Sequence, residues 1–138
     1  MNVDEALDRF GLSPDDQSIE VVREMLIEEA RKESQSQGQS DTELMKLCCV
    51  QLFSRGSAED SLLIWQAKTA SMDADCSIDI QLMCGAGLDE TKAFLANIHS
   101  QSATSALNRI RLCEESGDFE RFSVRDYLGF YRSYYFGE

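Results

Sequence analysis

Apolar residues recur along this chain every three or four positions, and no stretch keeps the strict alternation of a half-buried strand. The pattern is densest between Ser61 and Ala96. Leu62, Leu63, Ile64, Trp65, Ala67 and Ala70 leave little polar relief, which predicts a helix buried on most sides. Ile78, Leu82 and Met83 then recur at helical spacing until Gly85-Ala86-Gly87 stops them. Asp89 reads as the cap of the next helix, with Glu90 in its first turn and Ala93, Phe94, Leu95 and Ile98 inward.

The remaining elements follow from the same two signals, period and cap. Asn2 to Phe10 is a short helix closed by Gly11. Ser13-Pro14-Asp15-Asp16 places a serine cap before proline and two acids, opening a helix to about Ser34 that buries Ile19, Val22, Met25, Leu26 and Ala30. Ser40 with Glu43 has capping-box spacing and leads into Leu44, Met45, Leu47, Cys48, Val50, Leu52 and Phe53, an element apolar on nearly every side and so expected at the centre. Gly56 ends it, and Ser57-Ala-Glu-Asp60 starts the next. Ser102 to Glu115 turns Ala103, Ala106, Leu107, Ile110 and Cys113 inward, and Ser123 with Asp126 caps a last helix, Val124 to Tyr135. The prediction is an all-α domain of seven or eight helices over residues 1–138. It divides into an N-terminal helical arm (1–35), a polar, low-complexity connector (36–40) and a main helical body (41–138).

Gly56-Ser-Ala-Glu59 before Leu63-Ile64 echoes Gly87-Leu-Asp-Glu90 before Phe94-Leu95, an offset of 31 residues that suits a short α-solenoid stack. The run Leu82–Asp89 is similar over eight residues to the end of an ankyrin repeat, where a helix runs into a Gly-Ala turn and an aspartate. The Thr-Pro-Leu-His turn of that family is absent and the spacing from 62 to 84 is too long, so the family is not assigned.

Composition narrows the function classes. At 138 residues the chain buries a core without disulfides or metals, and its five cysteines, odd in number and set in apolar segments, read as reduced small hydrophobes. No run reaches membrane-span length and no leader pattern opens the chain, which places it in the cytoplasm as an expectation. The net charge is −12, with ten acids against four bases in residues 1–40, nine against four in 41–100, and six against five in 101–138. Such a surface repels phosphate backbones and anionic membranes and attracts a basic protein.

Asp73, Asp75, Ser77 and Asp79 stand at alternate places of a calcium-type loop, but Ile78 and Cys84 occupy the positions where glycine and glutamate are needed. No metal or other cofactor is therefore expected. Asp73 or Asp75 reads instead as a helix cap and Asp79 as exposed, the three together forming an acidic ledge for an arginine-rich partner. Cys48-Cys49 has one candidate base in the chain, His99, placed near a helix C-terminus. Neither a Gly-x-Ser-x-Gly nor a glycine-rich phosphate loop occurs. The last twenty residues hold eight of the twelve aromatics, on two faces: Val124-Leu128-Tyr131-Tyr135 and Tyr127-Phe130-Tyr134. One must face the core. The other is either covered within the same chain or is a partner or homodimer surface, with Tyr127, Tyr134 and Tyr135 as candidate binding residues.

These observations favour a small acidic, non-enzymatic protein-protein interaction module of the inhibitor or immunity type that docks on a basic partner. The alternative is an enzyme whose carboxylate or cysteine site assembles only in the fold.

Overall fold

A computed structural model describes residues 1–137, and among these there are eight α-helices, one 3₁₀ helix and no strand. The helices are α1 (Val3–Phe10), α2 (Asp16–Gln35), α3 (Thr42–Arg55), α4 (Asp60–Lys68), α5 (Met72–Ser77), α6 (Leu88–Ala96), α7 (Gln101–Glu115) and α8 (Val124–Phe136), with the 3₁₀ helix Ile80–Cys84 between α5 and α6. No helix is long and apolar enough to cross a membrane.

Local chemistry sets most boundaries. Asn2, Ser71, Ser100 and Ser123 each accept a hydrogen bond from the backbone N–H three residues on, satisfying one orphan donor of the first turn. Four caps differ from expectation, the first being that of α5, where Ser71 and not Asp73 or Asp75 is the cap. Asp15, not Ser13, caps α2 by accepting from Ser18 N at 2.8 Å, which leaves the Pro14 carbonyl free for Arg55. Asp41, not Ser40, caps α3, because the Ser40 hydroxyl donates to the Glu33 carboxylate instead. Asp89 is likewise not a cap: α6 starts from Gly87, and Asp89 and Glu90 lie in its first turn.

Helix α3 is the centre. All of Leu44–Phe53 except Lys46 is buried. A large apolar side chain gains roughly 1.5–3 kcal/mol when fully buried, so most of the core energy passes through this helix. Against it pack α2, α5, the 3₁₀ helix and α8; α4 sits on α2, α5 and α7, and α6 pairs with α7. The 1–35 segment, read as an arm, is thus packed on the body along α2. Arg23 clasps the nearly buried Asp60 carboxylate through two bonds of 2.9 and 3.0 Å, and Gln51 donates to the Gly11 carbonyl at 2.7 Å. The two arms of the 31-residue echo play different parts, since Gly56 closes α3 in the left-handed conformation while Gly87 opens α6.

The helix expected through Ile78–Met83 is interrupted. The buried Lys68 ammonium takes up the carbonyls of Asp75 and Ile78, which a continuing α-helix would have needed, and the chain resumes as the 3₁₀ helix. Its apolar residues are buried all the same. Gly85 follows in ordinary right-handed backbone. A side chain there has no room, because an added Cβ would stand 2.6 Å from the Phe53 carbonyl oxygen and 2.9 Å from Phe53 Cα. The turn therefore lies backbone-on-backbone against the end of α3.

Candidate protein-binding surface

Helix α8 is held to the body by rings from both of its aromatic faces, Tyr131 of one and Tyr127 of the other. Tyr131 is 1 % exposed, and Phe53 meets Phe122 and Tyr127 edge-on with centroids 6.4 and 5.7 Å apart. The Tyr127 and Tyr131 hydroxyls both donate to one oxygen of Asp79, the former at 2.6 Å. Burial, and then the neighbouring carboxylate, push both phenols well above their ordinary pKa, so they remain donors. The Lys46 ammonium lies 5.6 and 5.0 Å from the Tyr131 and Tyr134 ring centroids. Tyr135 is half-buried, with its hydroxyl enclosed and lacking a hydrogen-bond partner.

Beyond Tyr127 its face is open to solvent. Phe130 is 54 % exposed and Tyr134 52 %, one turn apart, and Phe136 (49 %) lies at the helix end. Arg125 and Arg132, on another side of the helix, are also exposed. A cleft of about 200 Å³ lies beside the start of this face, lined by Asp118, Glu120, Asp126, Phe122, Tyr127 and Phe130 among others. It shares Gln81 and Asp118 with a second cleft of about 280 Å³ lined by Lys68, Asp75, Asp79 and Arg109. Gln81 donates to the Asp118 carbonyl at 2.8 Å, so the shared wall is braced. Together the clefts form an acidic and aromatic trough.

Within this frame the six predicted residues separate. Asp73 is exposed. Asp75 is engaged on both oxygens, with Lys68 at 2.9 Å and Arg109 at 3.1 and 3.2 Å. Burial raises the pKa of its carboxyl, but the bonds from Arg109 and Lys68 outweigh that and hold it below the ordinary value. Asp79, expected exposed on a helix, is half-buried in extended backbone before the 3₁₀ helix and tied to two tyrosines. The ledge is thus divided: Asp75 and Asp79 hold α5, α7 and α8 together, and Asp73 alone of the three fully faces solvent. Tyr127 serves the Asp79 contact, Tyr135 faces inward, and Tyr134 stays available. Phe130, Phe136, Asp118, Glu120 and Asp126 were missed. The spacing of Phe130 and Tyr134, four residues apart, marked them as one face.

The buried thiols and the histidine stand in different settings. Burial pushes the Cys48 and Cys84 thiols up to about 12 and Cys49 well above its ordinary value, which disfavours a nucleophilic thiolate. His99 is exposed in the link between α6 and α7, beyond the end of its helix. Met72–Ser77 is helical, so Asp73 and Asp75 do not wrap a loop around an ion, and among the described residues no three His, Cys, Asp or Glu side chains are grouped to hold a metal.

Compared with known proteins, the chain matches no family model, no curated protein and no solved structure.

Proposed function

We propose that this protein is a small acidic interaction module that binds a basic protein through the outer face of α8 and the adjoining trough, acting by occlusion as inhibitor and immunity proteins do. The observation that carries the reading is the placement of exposed Phe130 in one cleft with the carboxylates of Asp118, Glu120 and Asp126, which outnumber its single Arg121, and of exposed Tyr134 one turn farther along α8. Rigid aromatic rings supply contact area at little entropic cost, and neighbouring carboxylates with a net charge of −12 behind them draw in a cationic partner. Asp79 supports the surface from below by fixing Tyr127 and Tyr131, so its role is to position α8.

The test separates arrival from residence. With a basic partner captured from the native source, Phe130→Ala with Tyr134→Ala is expected to speed dissociation, each residue contributing about 1–3 kcal/mol as an anchor. Asp118→Asn, Glu120→Gln and Asp126→Asn together are expected to slow association and flatten its salt dependence. Unchanged rates in both variants would remove this surface from the argument.

A further inference from the structure

A second groove, sharing no residue with the α8 surface, runs along α2. It encloses about 360 Å³ between Met1, Val21, Met25 and Leu44, and its edges carry Glu24, Glu28 and Glu29. Val21 is 37 % exposed and Met1 49 %, while Met25 is half-buried and packed on the core. Methionine and valine thus form an apolar floor that the chain leaves uncovered. Methionine suits such a floor, since its unbranched, polarisable side chain adapts to different apolar surfaces.

The rim decides the sign of the occupant. Glu28 is bonded to Arg31 at 2.6 and 3.1 Å, and Glu29 to Lys32 at 3.1 Å. Glu24 has no ion-pair partner among the described residues, and Glu20 farther along is taken by Arg23. With Glu28 and Glu29 matched by Arg31 and Lys32, Glu24 leaves the lining with an unmatched carboxylate, and residues 1–40 carry ten acids to four bases. Val21 and Met25 lie one helical turn apart and so form one continuous apolar strip along α2.

We infer that this α2 groove is a docking site for a basic amphipathic helix of a partner protein, its apolar residues on Val21 and Met25 and its lysines or arginines at Glu24. A second copy of this chain would bring a like-charged surface to the groove, which argues against it as occupant.

The test uses the whole chain labelled with ¹³C at its methionine methyl groups, which gives five reporters. The probe is a synthetic eighteen-residue helix of leucine and lysine, compared with a scrambled peptide of equal composition. Met25 is expected to shift saturably with the amphipathic peptide and hardly with the scrambled one. Met45 and Met83, in the core, should stay still, and so should Met72, which is 78 % exposed on α5 and reports non-specific adsorption. Val21→Lys with Glu24→Lys should weaken binding about ten-fold or more with the melting curve unchanged. The inference is overturned if Met72 moves as far as Met25, if both peptides bind alike, or if the double variant binds as well as the parent. It also falls if the Met25 signal shifts with protein concentration alone, which would make the occupant a second copy. Binding is scored on the Met25 methyl signal, which is local to α2, so a peptide seated on the α8 surface alone leaves it unmoved and counts against the inference.

Discussion

Replacing Glu33 by glutamine should weaken the fold at neutral pH and lose that effect in acid. Glu33 is 1 % exposed near the end of α2, and no basic side chain pairs with it among the described residues. Its carboxylate is satisfied by dipoles alone. One oxygen accepts from Ser71 Oγ at 2.6 Å, the other from Ser40 Oγ and Gly38 N at 3.1 Å each, with Ser40 N at 3.4 Å. These bonds tie residues 38–40 and the α5 cap to the end of α2. Hydrogen bonds to a charged group contribute about 1.5–3 kcal/mol, and glutamine places an NH₂ donor where one oxygen accepted. Ser71 Oγ already accepts from Ala74 N, which limits how it can adapt. Glu33→Gln is therefore expected to cost about 2 kcal/mol at neutral pH, lowering Tm by roughly 6–10 °C in a domain of this size. The Ser71 bond, aided by Gly38 and Ser40, overcomes desolvation and sets the folded pKa below its ordinary 4.5. A depressed carboxylate pKa adds stability that is complete above the unfolded value and disappears as pH falls through the folded one. Urea melts of parent and variant at stepped pH should thus diverge at neutrality and converge in acid. Equal stability at neutral pH, or a gap that persists below both pKa values, would refute the reasoning.

Other consequences are as direct. Gly85→Ala forces a Cβ into the Phe53 backbone and should cost about 3 kcal/mol, at the upper end of overpacking; a neutral result in urea melts would show the contact can open. Gly129→Ala, mid-helix with nothing within 4 Å of the new Cβ, should instead add about 0.5–1 kcal/mol by chemical denaturation, and a loss would reveal a close approach there. Cys76, the exposed thiol, should react first with a thiol reagent at neutral pH, and Cys48, Cys49 and Cys84 only on unfolding; rapid labelling of all four would contradict the core assignment.

Sequence alone determined the all-helical architecture, the central place of α3 and most element ends. Those features rest on interactions within one turn of the chain: the 3–4 period of apolar residues, and caps such as Asn2 to Glu5 or Ser123 to Asp126. The fate of the polar residues was decided by neighbours far off in sequence. Asp79 reads locally as a solvated helix residue, yet Tyr131, 52 positions away, brings a hydroxyl to it; Ser40 reads as a cap until Glu33 claims its hydroxyl. Lys68 breaks the helical run at Ile78 because burial leaves its ammonium needing oxygen ligands, and the Asp75 and Ile78 carbonyls supply them. The same holds for α8, whose two aromatic faces are nearly equivalent in sequence. Asp79 and Phe53 draw in Tyr131 from one face and Tyr127 from the other, since a donor hydroxyl and an aromatic edge must be satisfied where the chain brings their partners, and Phe130 and Tyr134 are left exposed.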